Sequence, residues 1–190
     1  VINLEGKSLN EVKRLFYSKY LAGYDEITLF GEKEIRENEN DLRNAINDTI
    51  ALEITEQTKN KLVARDFIDS RAISIESTLK RIDILIRSMM EDLKTTYKDD
   101  INNLSRRDRE INKLSNLILR TIKKSAENPH LQKKIGIKQG DTLIIWNMVQ
   151  SLELFADELK RAARHLGKSK VKESLKKEFI KTHEKIEEDY

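Results

Sequence analysis

Residues 141–166 read DTLIIWNMVQSLELFADELKRAARHL. Within them Ile145, Val149, Leu152, Ala156, Leu159, Ala163 and Leu166 recur in steps of three and four, the period of a helix with one apolar stripe. The stretch predicts one long helix, and a helix of this length with a buried stripe needs others to pack against. It also sets Glu153 and Asp157 four residues apart. That spacing puts both carboxylates on one side of the helix, a turn apart at the flank of the stripe, where they are either an ordinary solvated acidic pair or a place for a cation between them.

Two further series lie upstream. Ile75, Leu79, Ile82, Ile86, Met89 and Leu93 form one, and Ile101, Leu104, Ile111, Ser115, Ile118 and Ile122 form the next after Lys98-Asp99-Asp100. Asn128-Pro129 closes the second series, because a residue before proline is pushed out of helical geometry. A short helix over Leu131 to Ile135 fits between that point and Gly136 and Gly140. Three long amphipathic helices with short connections predict an antiparallel three-helix bundle. Trp146, Met148, Met89 and Met90 read as its core packing. After Gly167, Val171, Leu175, Phe179, Thr182 and Ile186 keep helical spacing opposite a charged face, which predicts a C-terminal helical extension in need of a partner surface.

The first seventy residues alternate in character. Val1 to Leu4 is β-prone, and Ser8-Leu9-Asn10-Glu11 is a capping box ahead of Leu9, Val12, Leu15, Phe16 and Tyr20, with Gly23 as the stop. Glu26 to Phe30 alternates as a strand up to Gly31, and Ile35, Leu42, Ile46 and Ile50 mark a second helix. Glu53 to Thr58 and Leu62 to Asp66 read as strands turning at Lys59-Asn60. The predicted fold is therefore mainly α: a small α/β (β-α-β-α-β-β) N-terminal domain over 1–70, a helical bundle over 71–167 and a C-terminal helical extension over 168–190.

Charged residues make up 36% of the 190, yet 36 Lys and Arg against 33 Asp and Glu leave a net charge of +3. Signs so mixed argue against a dedicated nucleic-acid surface. With no cysteine there is no disulfide, thiolate metal site or cysteine nucleophile. No segment offers the roughly twenty apolar residues of a membrane span, and the start lacks the basic-then-apolar pattern of a signal peptide. These features fit a cytoplasmic protein. The absence of an initial Met and an end within a charged run lead us to expect a piece of a longer chain.

Asp108 falls inside the apolar series of the second long helix, where a lone carboxylate costs several kcal/mol. A salt bridge to a nearby Arg or Lys, such as the flanking Arg106, Arg107 and Arg109, compensates it, or the helix turns it to solvent, or a cation binds there. Carboxylate oxygens suit Mg, Ca, Mn or iron. Asn112, one turn on, offers only a neutral amide oxygen. No Glu-x-x-His pair, Gly-rich phosphate loop, Gly-x-Ser-x-Gly elbow or His-Glu-x-x-His is present, so no enzymatic activity is expected.

Leu21-Ala22-Gly23-Tyr24-Asp25-Glu26-Ile27, Leu52-Glu53-Ile54 through Asp66, Arg107-Asp108-Arg109-Glu110-Ile111-Asn112 and Ser151-Leu152-Glu153-Leu154-Phe155-Ala156-Asp157 together resemble the archaeal PhoU-type phosphate-uptake regulators over nearly the whole chain. The resemblance implies a PhoU-like bundle with acid-x-x-x-Asp metal motifs on two helices. Glu153 and Asp157 have that form; Asp108 and Asn112 keep one acid of the other. It implies a weak or partial site for a divalent or ferric ion (iron, Zn, Mg or Ca) and a regulatory role in phosphate homeostasis and transcription. The implied partners are a phosphate transporter ATPase or a sensor kinase, and a second copy in a homodimer. The AbrB-like DNA-binding segment that such proteins often carry is not in this sequence, so no direct nucleic-acid binding is expected of these residues. A carboxylate-rich metal-binding or storage bundle and a structural dimerisation module of a transcription regulator are the alternatives.

Overall fold

The computed structural model describes residues 1–95, 101–126, 128–138 and 140–168, with Glu178, Lys181, Thr182 and Lys185. The connection expected at Lys98-Asp99-Asp100 and most of the extension expected over 168–190 lie outside the described residues. The chain is mainly helical, with a small mixed sheet near the N-terminus. Its elements are β1 (Ile2–Asn3), α1 (Leu9–Leu21), β2 (Glu26–Phe30), α2 (Glu32–Asn47), β3 (Leu52–Gln57), β4 (Lys61–Asp66), α3 (Ile75–Thr95), α4 (Ile101–Ala126), α5 (Pro129–Lys134) and α6 (Asp141–Lys168). Contacts divide the chain into two compact units, 1–75 with 116–143 and 76–115 with 144–190.

In the first unit local chemistry sets the element ends. Ser8 and Glu11 form the capping box that starts α1: the Ser8 amide donates to Glu11 Oε2 at 2.8 Å and the Glu11 amide to Ser8 Oγ at 3.4 Å. After α1, Gly23 takes φ +90°, and a Cβ there would stand 2.7 Å from Lys124 Cγ. Gly31 caps α2, which therefore begins at Glu32, ahead of its first apolar residue, Ile35. The helix ends at Asn47 because the amides of Asp48 and Thr49 turn back to Asn44 and Ile46.

The sheet order is β1-β2-β4-β3. β1 and β2 are parallel, joined by α1, whereas β4 is antiparallel to both β2 and β3. Leu29 faces Leu62 and Ile27 faces Ala64 across the β2/β4 ladder. These side chains form one core with Leu4, Val12, Phe16 and Tyr20 from the α1 side and Ile35, Leu42 and Ile46 from α2. Thirteen buried apolar residues of this kind hold the unit through the hydrophobic effect, at about 25 cal/mol per Å² removed from water.

In the second unit much of each apolar series is buried, with Leu79, Ile145 and Leu152 half-buried. Ile82, Ile86, Met89 and Leu93 of α3, Leu104 and Ile111 of α4, and Val149, Ala156, Leu159 and Ala163 of α6 are all inside. Trp146 and Met148 are a correction to the expected core: each is 40% exposed. The stripe runs through Ile145 and Val149, and at about 100° per residue a neighbour one step off it is carried towards solvent. Met89 and Met90 are fully buried, as expected. No described helix is long and apolar enough to cross a membrane.

Candidate functional site: a lysine-bridged carboxylate cluster

The second unit brings Asp108 of α4 together with Glu153 and Asp157 of α6. Asp108 sits at the inward position of its series and is 7% exposed. Lys160 Nζ donates to Asp108 Oδ2 at 2.5 Å and to Asp157 Oδ1 at 2.7 Å. The ammonium thus bridges carboxylates from two helices, reaching one by the i, i+3 spacing within α6 and the other across the unit. Asp108 is compensated by this lysine and not by its arginine neighbours; Arg107 pairs with Asp92 instead. Asn112 is half-buried one turn on and takes no part in the cluster's hydrogen bonds among the described residues.

Glu153, Asp157 and Lys160 each respond to the charges around them. Glu153 is raised above its ordinary carboxyl value by burial, then by the negative charges of Asp157 and Asp108, with only partial relief from Lys160. Asp157 is held below its ordinary value by the hydrogen bond from Lys160, which outweighs its burial. For Lys160, burial favours losing the proton, but the bonds to Asp108 and Asp157 outweigh it and hold the ammonium charged to higher pH. Three acids against one lysine leave a local excess of negative charge. Among the described residues two side-chain atoms are buried without a hydrogen-bond partner, Asp108 Oδ1 and, two turns along the same face of α4, Ser115 Oγ.

The donor set, carboxylate oxygens with one orphaned lone-pair site, is of the hard type that Mg, Ca or Mn prefer. The seat between Asp108 and Asp157 is held by the Lys160 ammonium, and a metal there must compete with it. Among the described residues no group of three or more His, Asp or Glu side chains is arranged to hold an ion.

A second polar cluster lies in the first unit. Arg120 is fully buried on α4 in an otherwise apolar run, Leu117-Ile118-Leu119-Arg120. It donates to the Tyr20 carbonyl, to the Tyr24 carbonyl at 2.8 Å and to Asp66 Oδ2 at 2.7 Å, and its guanidinium lies 4.9 Å from the centre of the Tyr20 ring. Lys124, one turn on, adds bonds to Asp25 at 2.5 Å and Asp66 at 3.1 Å. Asp66 is partly buried, which would raise its pKa, but the Arg120, Ile68 and Lys124 donors together hold it below the usual range. The Tyr20 hydroxyl, pushed up to about 12 chiefly by burial, donates to the Ile50 carbonyl at 2.8 Å. These bonds tie the C-terminal part of α4 to Tyr20, Tyr24, Asp25 and Asp66, and the cluster reads as a structural fastening.

Sequence reasoning reached the three acids and missed Lys160, Arg120, Lys124 and Asp66. Lys160 carried a readable signal, since it lies three residues after Asp157 and seven after Glu153 on one face. No protein-family model, curated protein or solved structure matches this chain.

Proposed function

We propose that this chain is a regulatory, non-enzymatic PhoU-like protein that acts in the cytoplasm, through protein contacts, in the control of phosphate uptake. The observation that carries the reading is the meeting of Asp108, from one motif position, with Glu153 and Asp157, from the other, at a single place on two helices. The sequence resemblance implies that convergence, and spacing along one helix alone does not produce it.

The bundle part of the reading also has support. Arg81 of α3 pairs with Glu110 of α4, and Asp92 of α3 pairs with Arg107 of α4. As the position rises along α3 it falls along α4, the progression of an antiparallel pair, and α6 joins through Lys160 and Asp108. In this reading α3, α4 and α6 form an antiparallel PhoU-type bundle.

The cluster is the modulated element. Asp108, Glu153 and Asp157 would hold a divalent or ferric ion in place of the Lys160 ammonium, and the lysine so released would alter the charge of the surface offered to a phosphate transporter ATPase or sensor kinase. Titration calorimetry of the full chain with Mn, Mg, Ca and Fe(III) tests the first step. Lys160→Met removes the competitor and is expected to tighten binding, while Asp157→Ala weakens it; identical heats for all three proteins sink the metal step. Co-purification with transporter and kinase components, with and without inorganic phosphate, tests the second. Capture that responds to phosphate is expected, and its absence removes the phosphate assignment.

A further inference from the structure

We infer that the cleft between the 3-10 turn Ser70–Ala72 and α5 binds the phosphate group of a small phosphate monoester. The cleft belongs wholly to the first unit and measures about 730 Å³, the size of a small-molecule site. Asp69, Ser70 and Arg71 line it from one side and His130, Leu131 and Lys134 of α5 from the other, with Asp25, Asp66 and Lys124 completing the lining. Each carboxylate is already bonded. Asp66 takes Arg120 at 2.7 Å and Lys124 at 3.1 Å, Asp25 takes Lys124 at 2.5 Å, and Asp69 takes Arg71 Nε at 2.8 Å.

The donors are not exhausted in the same way. Arg71 spends its Nε on Asp69, and its two terminal nitrogens meet no acceptor among the described residues. His130 and Lys134 make no hydrogen bond or ion pair among the described residues, and four positions apart on α5 they share one side of it. The Lys134 charge is nonetheless felt across the cleft. Asp69 is held below its ordinary value first by the Arg71 hydrogen bond and further by Lys134, so cations from both sides act on one space. With Arg120 behind Asp66, the cluster holds four fixed positive charges to three carboxylates.

What this cleft lacks is an acceptor. A phosphate monoester brings three terminal oxygens on a compact dianion, and a guanidinium fork takes two of them while Lys134 and His130 donate to the third. A carboxylate, with two oxygens and one charge, leaves one of these side chains unmet. Ile68 and the buried Leu131 offer the apolar contact that the organic part of an ester uses and inorganic phosphate does not. This assignment stands on the first unit alone and does not rest on the phosphate-uptake reading.

Titration calorimetry of the full chain at fixed ionic strength, with glucose 6-phosphate, AMP and inorganic phosphate as probes, tests the proposal. Saturable binding of at least one ester is expected, tighter than that of inorganic phosphate. Arg71→Gln and Lys134→Gln should each weaken it at least about ten-fold, as for the loss of a charge-assisted bond. Both side chains are exposed, so neither change should disturb the fold, and unchanged far-ultraviolet circular dichroism checks this. Lys7→Gln, which removes an exposed lysine outside the cleft, should leave the affinity as it was. No saturable heat with any of the three probes, or equal weakening by Lys7→Gln, overturns the proposal. Inorganic phosphate bound as tightly as both esters overturns the assignment to an ester.

Discussion

Lys160 Nζ lies 2.5 Å from Asp108 Oδ2, and the two residues reach each other from α6 and α4 across 52 positions of sequence. Asp108 is buried, so this lysine is what makes its charge tolerable. Removing it as Lys160→Ala strands the carboxylate beside a second oxygen that already lacks a partner. A loss of about 3–5 kcal/mol of folding stability is expected, the usual cost of breaking a buried pair from one side. The double variant Lys160→Met with Asp108→Leu should recover most of it. Urea unfolding of the single and double variants measures the coupling, and additive losses would mean that the two side chains do not stabilise each other.

Arg120 should tolerate even lysine badly. Its guanidinium satisfies the Tyr20 and Tyr24 carbonyls and Asp66 at once, an arrangement that depends on a planar fork of donors. Arg120→Lys keeps the charge but reaches fewer of these acceptors, and we expect a loss of about 2–3 kcal/mol, with Arg120→Ala losing more. Chemical denaturation followed by far-ultraviolet circular dichroism gives the comparison. Equal stability of Arg120→Lys and wild type would show that charge alone, without the fork, holds α4 to the sheet.

Elements governed by local chemistry were legible from the residues. The capping box at Ser8, the alternation of Glu26 to Phe30 and the period of Ile75 to Leu93 act within a few positions of themselves, and α1, β2 and α3 stand where these signals put them. Strand ends moved by a residue where pairing decided them: β3 begins at Leu52 because Leu52 pairs with Asp66. What stayed hidden depends on which faces meet. Arg120 sits in an apolar run and looks misplaced until the Tyr20 and Tyr24 carbonyls are seen beside it. The acids at Asp108, Glu153 and Asp157 were visible as residues, but periodicity within each helix does not say that Lys160 fills the space between them. Trp146 and Met148 were misread for the opposite reason. Their bulk suggested a core, and their position one step off the stripe decided otherwise.

Gly23 carries two requirements in one position. Its φ of +90° disfavours any side chain, and a Cβ would press to 2.7 Å from Lys124 Cγ, disturbing the lysine that bonds Asp25 and Asp66. Gly23→Ala is expected to destabilise by about 1–3 kcal/mol. The contrasting position is Gly6, at φ +71° with open space around it, where alanine meets only the backbone penalty. Thermal unfolding of the two variants should rank Gly23→Ala clearly below Gly6→Ala; the reverse order would show that the Lys124 contact is unimportant.

Glu153 and Asp157 should give opposite signs to the pH dependence of stability although they lie one turn apart. Asp157, held below its ordinary value by Lys160, binds its proton less readily folded than unfolded. Its contribution is present above the ordinary carboxylate range and is lost as pH falls through its lower folded value. Glu153 is raised from 4.5 by burial and by the neighbouring Asp157 and Asp108 charges, so the folded chain binds that proton more readily. Between the ordinary value and the raised one stability therefore falls as pH rises, and at neutral pH the ionised Glu153 is a net cost. Glu153→Gln removes this cost. It is expected to stabilise the chain at neutral pH by less than about 1 kcal/mol, since solvent still screens a half-buried group. The gain should shrink as pH falls and vanish below the ordinary glutamate range, where wild-type Glu153 is itself protonated. Urea midpoints for wild type and Glu153→Gln, taken at neutral pH and again near the carboxylate range without added metal, decide the matter. A variant less stable than wild type at neutral pH would mean that the Glu153 carboxylate gains more from Lys160 than it loses to its acidic neighbours.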